Sequence, residues 1–197
     1  MTGAERAAAV WSAAIDESIG VREAMRDALA EPLAAAGAAV IDAVRGGRRV
    51  ILFGNGGSAA DAQHIAAELV GRYRLERRAW PAIALSENVS SLTGIGNDYG
   101  YDVVFARQLE ALASDGDVVI ALSTSGTSAN VLRALEVAGE RGLHRIVLSG
   151  PAPNPAADLA DLAVCIPAPT TAAIQEGYLL FLHSLCHVVE ETLAGDG

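Results

Sequence analysis

A histidine and a carboxylate, His64 and Glu68, stand four residues apart just after the glycine-rich segment 54–58. This spacing puts both side chains on one face of a helix, where they can hold one metal ion or one substrate between them. The segment itself predicts a loop at a helix start, whose free N–H groups and dipole can bind a phosphate. An isolated pair of this kind is most simply a surface contact, but its position beside an anion-binding loop favours a functional site.

A second loop, rich in hydroxyl groups, lies at residues 123–128, between a predicted strand and a helix that begins near Ala129. Its hydroxyls can cap that helix or donate to phosphate oxygens, and for this loop alone the two interpretations are equally good. Two such loops on neighbouring strands favour one common site, because ligands collect at the carboxyl ends of parallel strands. The first loop also has the glycine spacing of a dinucleotide fingerprint, but Glu87, which ends the next strand, comes too late to bind a ribose.

The last predicted helix, residues 171–193, carries four further polar candidates: Gln175, Glu176, His183 and His187. His183 and His187 have a spacing that is compatible with a metal site. At about 100° per residue, Glu176 aligns with His183 better than Gln175 does. Helical spacing alone therefore does not choose among the four.

Two other groups are candidates for contacts with a ligand. Asn97 and Asp98 lie in a glycine-rich segment that is typical of a polar loop near a sugar hydroxyl, and equally of a plain turn. The chain has one basic cluster, formed by four arginines: Arg72, Arg74, Arg77 and Arg78. Solvated salt bridges are its expected use, with Arg72, nearest the preceding helix, best placed to contact a ligand.

The elements that must position these residues alternate along the chain. Residues 1–46 predict an N-terminal helical arm with a break near Glu31, after which Pro32 begins a second helix. Five apolar runs in the core, residues 47–197, predict strands: 49–53, 82–85, 117–122, 145–148 and 162–166. Helical or loop segments separate them, so we predict a single α/β domain, flavodoxin-like or Rossmann-like, whose parallel sheet is flanked by helices.

The composition excludes several function classes. All 14 basic residues are arginine, so there is no Schiff-base lysine, pyridoxal-phosphate anchor or P-loop lysine. A net charge of −10 disfavours nucleic acid as a partner. The apolar runs are too short to span a membrane, and the N-terminal residues lack the features of a secretory leader, so we expect a cytoplasmic protein.

In order along the chain, these residues resemble bacterial phosphoheptose isomerases, the sedoheptulose 7-phosphate isomerases of the sugar-isomerase (SIS) domain superfamily. The resemblance covers nearly the whole chain and implies a single SIS domain. It rests on these motifs: Gly54-Asn-Gly-Gly-Ser58, Asp61-Ala-Gln-His64 with Glu68, Pro81-Ala-Ile-Ala84, Gly96-Asn-Asp98, Ser123-Thr-Ser-Gly126 with Ser128, and Ile174-Gln-Glu176 with His183.

The resemblance implies a homotetramer with active sites at subunit junctions, which gives the helical arm a partner surface. It implies one zinc ion per subunit, held by His64, Glu68, Gln175 and His183, with Glu176 and His187 in supporting or structural roles. It assigns phosphate binding to Ser123, Thr124, Ser125 and Ser128. It assigns sugar contacts to Asn55, Gly56, Gly57, Asn97, Asp98 and Gln175, to which we add Ser58 and Arg72.

The implied reaction converts sedoheptulose 7-phosphate to D-glycero-D-manno-heptose 7-phosphate, or a close epimer, through an enediolate. We expect Glu68 to be the base and His183 its acid–base partner, with zinc as a Lewis acid. The alternative is a non-catalytic SIS protein that binds the replication initiator, or a sugar-phosphate-binding regulator. Replication-initiator-binding relatives generally lack counterparts of Glu68 and His183, which favours the enzyme. Residues 168–173 lack an acidic residue that the family is expected to have there, so substrate preference stays open.

Overall fold

Five parallel strands form the centre of the structure, a computed structural model that describes residues 1–194. The strands are Val50–Gly54 (β1), Ala82–Ala84 (β2), Val118–Ser123 (β3), His144–Ser149 (β4) and Leu162–Cys165 (β5). Each bound lies within one residue of its prediction. Residues 195–197, the end of the predicted core, lie outside the described residues.

The strand order is β2-β1-β3-β4-β5. After β1 the chain first adds β2 on one side and later β3 on the other, so the winding direction reverses between β1 and β3. Such a reversal opens a crevice at the carboxyl ends of the two strands, where ligands bind in doubly wound folds. Gly54 pairs with Leu122 across this point, which brings the loops after β1 and β3 side by side.

Helices cover both faces of the sheet. Their bounds are Gly3–Ala28 (α1), Ala30–Arg45 (α2), Gly57–Val70 (α3), Val89–Tyr99 (α4), Ala106–Leu112 (α5), Ala129–Glu140 (α6), Pro155–Asp158 (α7) and Thr171–Leu193 (α8), with a 3-10 turn at Tyr101–Val103. The bounds of α8 agree with the prediction, and the predicted α/β architecture is confirmed.

Alternate strand residues face two separate cores, as the period of two of a β-strand requires. Val50 and Leu52 point into one core, which contains buried residues of α2, α3 and α8. Ile51 and Phe53 point into the other core, which contains residues of α5 and α6. The strands are therefore apolar on both faces, the pattern expected of a covered parallel sheet.

The helical arm consists of α1 and α2. Its break lies at Leu29 rather than near Glu31, because Pro32 sits inside the first turn of α2, where a missing N–H breaks no helical hydrogen bond. Val21 and Met25 near the end of α1 are buried, but earlier in the helix a stripe of apolar side chains is exposed: Val10, Trp11, Ile15 and Ile19.

Within residues 1–194, none of the helices combines the length and apolar composition needed to cross a bilayer.

Candidate active site

A pair of side-chain amides links the first loop to the helix that follows the second loop, at the carboxyl ends of β1 and β3. The Nδ2 of Asn55 donates to Oδ1 of Asn130 at 2.8 Å, and the Nδ2 of Asn130 donates back to Oδ1 of Asn55 at 2.9 Å. Tyr101 donates its hydroxyl to the same Asn55 oxygen at 3.1 Å. Asn130 is buried in the first turn of α6, so it fixes the first loop relative to the second. From the sequence alone an asparagine at this position suggests only a helix start.

The first loop requires glycine at two points. Gly56 adopts a φ of 57°, which favours a residue without Cβ. A Cβ on Gly54 would come within 2.8 Å of both the Leu122 carbonyl oxygen and the Ser58 Cβ. The predicted helix then begins at Gly57, and among the described residues no side chain caps its N-terminus. The loop therefore lies close against β3 and presents backbone N–H groups at a helix start.

In the second loop, the hydroxyl of Ser128 does not cap α6, although Ser128 is its N-cap residue. It accepts a hydrogen bond from the Ser123 hydroxyl at 3.3 Å instead. The backbone N–H of Ala156 donates to the carbonyl of Gly126 at 3.0 Å, which holds the loop against α7. For Ser128, capping of the helix is thus not the arrangement in the structure, and its hydroxyl faces that of Ser123.

The reactive side chains of α3 and α8 meet. Nε2 of His64 and Oε1 of Glu68 are 3.1 Å apart, as the four-residue spacing predicts. The ring of His183 lies edge-on to that of His64, with 5.0 Å between centroids. Tyr73, on the segment after α3, also stacks on the ring of His183, with 5.6 Å between the ring centroids and 19° between the ring planes.

Gln175, not Glu176, faces α3. Its Nε2 donates to Oδ2 of Asp61 on α3 at 3.0 Å, and its amide lies over Gly57. Glu176 instead accepts a hydrogen bond from Ser18 of α1 at 3.2 Å. Helical spacing left this choice open, and packing of α8 between α1 and α3 decides it.

Burial tunes two groups of the site. It lowers the pKa of His183, with a further contribution from the nearby His64. A lowered pKa favours the neutral imidazole, the form that can accept a proton. Burial also raises the pKa of Asp61, and the opposing effect of the hydrogen bond from Gln175, which lowers the pKa, is smaller. Shifts of this kind are frequent at functional sites.

Three predicted contact residues have partners other than the side chains described above. Asn97 and Asp98 belong to the last turn of α4, not to a polar loop, and Asn97 donates to Asp98 at 2.8 Å. The glycines before them are accommodated in a helix because Leu92 and Ile95 pack against the core. The Nε of Arg72 lies 3.8 Å from Glu76, and its side chain is 59% exposed.

The donor types at the site fit zinc, which binds imidazole nitrogen and carboxylate oxygen. His64, Glu68 and His183 supply two imidazoles and one carboxylate, linked by the contacts described above. Within residues 1–194, no three His, Cys, Asp or Glu side chains are already arranged around one metal position. The residues therefore fit in chemistry and neighbourhood, and binding would require their side chains to turn.

We expect Gly57→Ala to lower the activity that the resemblance implies, with little loss of stability. The added Cβ would collide with the Gln175 amide, the mobile end of a long side chain that can swing away. Activity should fall about 10- to 100-fold, because small displacements at a site cost this much. Steady-state kinetics and thermal unfolding test it, with Gly94→Ala, where a Cβ would meet open space, as the matched control. Equal activity of both variants would contradict the placement of Gln175.

The chain is similar to proteins of known family. The family model for the SIS domain matches residues 15–150, which include both loops and α3. The phosphoheptose isomerase of Geobacter sulfurreducens is 50% identical over 173 residues, which are 88% of this chain and 92% of the relative.

Two solved structures are similar over nearly all of the chain. A phosphoheptose isomerase from Neisseria gonorrhoeae has a TM-score of 0.87 at 39% identity and covers 96% of this chain and 100% of its own. A phosphoheptose isomerase from Francisella tularensis has a TM-score of 0.89 at 31% identity, and the match covers 97% of this chain and 100% of that chain. These names favour an isomerase over a non-catalytic binding protein. The chain belongs to the phosphoheptose isomerase family of SIS domain proteins.

Proposed function

We propose that this protein converts sedoheptulose 7-phosphate to D-glycero-D-manno-heptose 7-phosphate, or a close epimer. The observation that carries the proposal is the meeting of His64, Glu68 and His183 beside the paired loops, in a chain whose relatives are named phosphoheptose isomerases. Because phosphorylated sugars are charged and do not cross membranes unaided, we also propose a cytoplasmic location.

The loop 123–128 is the proposed phosphate site, with Ser123, Thr124, Ser125 and Ser128 as its hydroxyl-bearing residues. The N-terminus of α6 directly follows it, so N–H groups and the helix dipole add to the attraction for an anion. Asn55, Gly56, Gly57 and Ser58 of the first loop and Gln175 of α8 then surround the sugar. Arg72, Asn97 and Asp98 would contact it from the margin.

The proposed chemistry is a proton transfer between neighbouring carbons. The Glu68 carboxylate takes the proton from the carbon beside the carbonyl and returns it to the former carbonyl carbon. His183, whose neutral form is favoured because burial lowers its pKa, moves the accompanying proton between the two oxygens. Their positions on α3 and α8 let them act on adjacent atoms of one substrate.

His64, Glu68, Gln175 and His183 would hold one zinc ion per subunit. When bound, zinc would polarise the carbonyl and the adjacent hydroxyl as a Lewis acid. Gln175 would bind the ion through its amide oxygen, because an amide nitrogen has no free lone pair; that nitrogen donates to Asp61.

The assay is incubation of purified protein with sedoheptulose 7-phosphate, with added zinc and separately with a chelator. We expect aldoheptose phosphate to form with zinc and to decrease strongly with the chelator. Product in both conditions would contradict the proposed role of zinc but support the isomerase activity. No product in either condition would contradict the isomerase activity itself.

We further propose a homotetramer. Its support is the apolar stripe of α1, where Trp11 is 69% exposed and Val10 is 65% exposed. Burial of such a stripe between subunits would remove it from water and stabilise the assembly. Light scattering of the purified protein measures the assembly directly, and a monomeric mass would contradict it.

A further inference from the structure

A buried carboxylate on α8 anchors the segment that follows α3. Glu190 is fully buried, and its oxygens accept three backbone N–H groups: those of Tyr73 at 3.0 Å, Arg74 at 2.7 Å and Leu75 at 2.9 Å. Three N–H donors to one carboxylate make a strong anion site of the kind usually found in binding loops. Here the anion belongs to the chain itself, so its effect is to fix the backbone of these residues.

Arg77 completes this anchor. Its Nε lies 3.3 Å from Oε1 of Glu190, too poorly aligned for a hydrogen bond, so this contact is electrostatic. The guanidinium covers the ring of Trp80, 3.6 Å from the ring centroid. Its Nη2 donates to the carbonyl of Glu68 at 2.7 Å. The same arginine therefore connects the anchored segment to the helix turn that carries the candidate base.

The anchored segment presents Tyr73 to His183. The Tyr73 backbone is held by Glu190, and its ring stacks on the imidazole of His183 with only 19° between the planes. His64 lies edge-on to the same imidazole, at 74°. The imidazole of His183 is thus confined between the face of the Tyr73 ring and the ring of His64. This confinement restricts the χ2 angle of His183, which in histidine otherwise has a broad distribution.

We propose that Tyr73 is a positioning residue, which sets the plane of the His183 imidazole while Glu190 and Arg77 hold Tyr73 in place. This inference rests on the proposed function, in which His183 moves a proton at the substrate. The ring of Tyr73 is the feature that matters, so a phenylalanine at this position should serve as well.

The test compares Tyr73→Phe with Tyr73→Leu, which has an apolar side chain without a ring. We expect Tyr73→Phe to keep kcat close to that of the wild type, and Tyr73→Leu to lower kcat about 10- to 100-fold with KM nearly unchanged. Tyr99→Leu is the matched control, because Tyr99 is an exposed tyrosine of α4 that stacks with Arg107 and not with a histidine. It should retain wild-type kcat.

A second readout does not depend on turnover. In protein labelled at its four histidines, the ring current of Tyr73 should displace the NMR signals of His183, which are assigned by their loss in His183→Gln. Tyr73→Phe should keep this displacement and Tyr73→Leu should abolish it. Thermal unfolding checks that each variant is folded, and Tyr73→Gln replaces Tyr73→Leu if the latter is not.

Wild-type kcat in Tyr73→Leu, or an equal loss in Tyr73→Phe, would overturn the proposal, and so would unchanged His183 signals in Tyr73→Leu. If the wild type itself forms no product, the proposed function fails. The NMR comparison still decides whether Tyr73 sets the plane of the His183 imidazole. The two failures are therefore distinguishable.

Discussion

Glu68→Gln is expected to lower kcat about 10²- to 10⁴-fold, the usual contribution of a general base. Glutamine has the same shape, but its amide cannot accept a proton from carbon at neutral pH. The substitution also removes the carboxylate that faces His64 at 3.1 Å. Steady-state kinetics with sedoheptulose 7-phosphate measure the loss, and near wild-type activity would refute the assignment of Glu68 as base.

The matched control is Glu136→Gln, which changes an exposed carboxylate of α6 paired with Arg133 at 2.9 Å. It should leave kcat unchanged. The zinc content of Glu68→Gln separates its two proposed roles. A variant that still binds zinc but turns over slowly has lost the base, whereas a variant that has lost both has lost a ligand.

Glu190→Gln is expected to reduce the free energy of unfolding by about 3–5 kcal/mol, the usual cost of removing one partner of a buried ion pair. The Arg77 guanidinium, only 3% exposed, would be left without its counter-charge. The three N–H donors would also lose a charged acceptor, and the glutamine NH₂ group would face them. Denaturant unfolding measures the change.

The matched control is Asp161→Asn. Asp161 binds Arg145 through hydrogen bonds of 2.8 and 3.0 Å, but its side chain is 36% exposed. Water screens such a pair, so the expected cost is about 0.2–1 kcal/mol. Equal losses in the two variants would contradict a special role for burial at Glu190.

The stabilisation by Glu190 should depend on pH in one direction. Burial alone would raise the pKa of its carboxyl, but the three N–H donors and Arg77 outweigh burial and lower the pKa below the ordinary value of 4.5. A depressed folded pKa stabilises the protein above the unfolded value, and this contribution is lost as pH falls through the folded pKa. The difference between wild type and Glu190→Gln should therefore be largest at neutral pH and decrease below about pH 4.5.

Much of the fold could be predicted from the sequence because it depends on neighbours along the chain. The apolar runs located all five strands, and a run such as 118–122 is hydrophobic throughout because both faces of the sheet are covered. The prediction placed the break of the helical arm near Glu31, two residues after its actual position at Leu29, because proline is compatible with the first turn of a helix. The last turn of α4 was predicted as a loop because its glycines suggest one, while packing favours the helix.

Part of the site was also predictable. His64 and Glu68 meet because four residues make about one helical turn, which is a local property. The resemblance supplied Gln175 and His183, whereas helical spacing alone would have preferred Glu176. Arg77 was expected in solvent with the rest of its basic cluster, and its burial against Trp80 gives no signal in the sequence.

The sequence by itself determined the kind of elements, their approximate bounds and the residue types that could carry isomerase chemistry. Only the tertiary structure decided which side chains meet: Gln175 with Asp61 across 114 residues, Asn55 with Asn130 across 75, and Tyr73 with Glu190 across 117. The physical reason is the range of the interactions. Strand and helix patterns arise between near neighbours, whereas these contacts depend on how α3, α6 and α8 pack around the sheet.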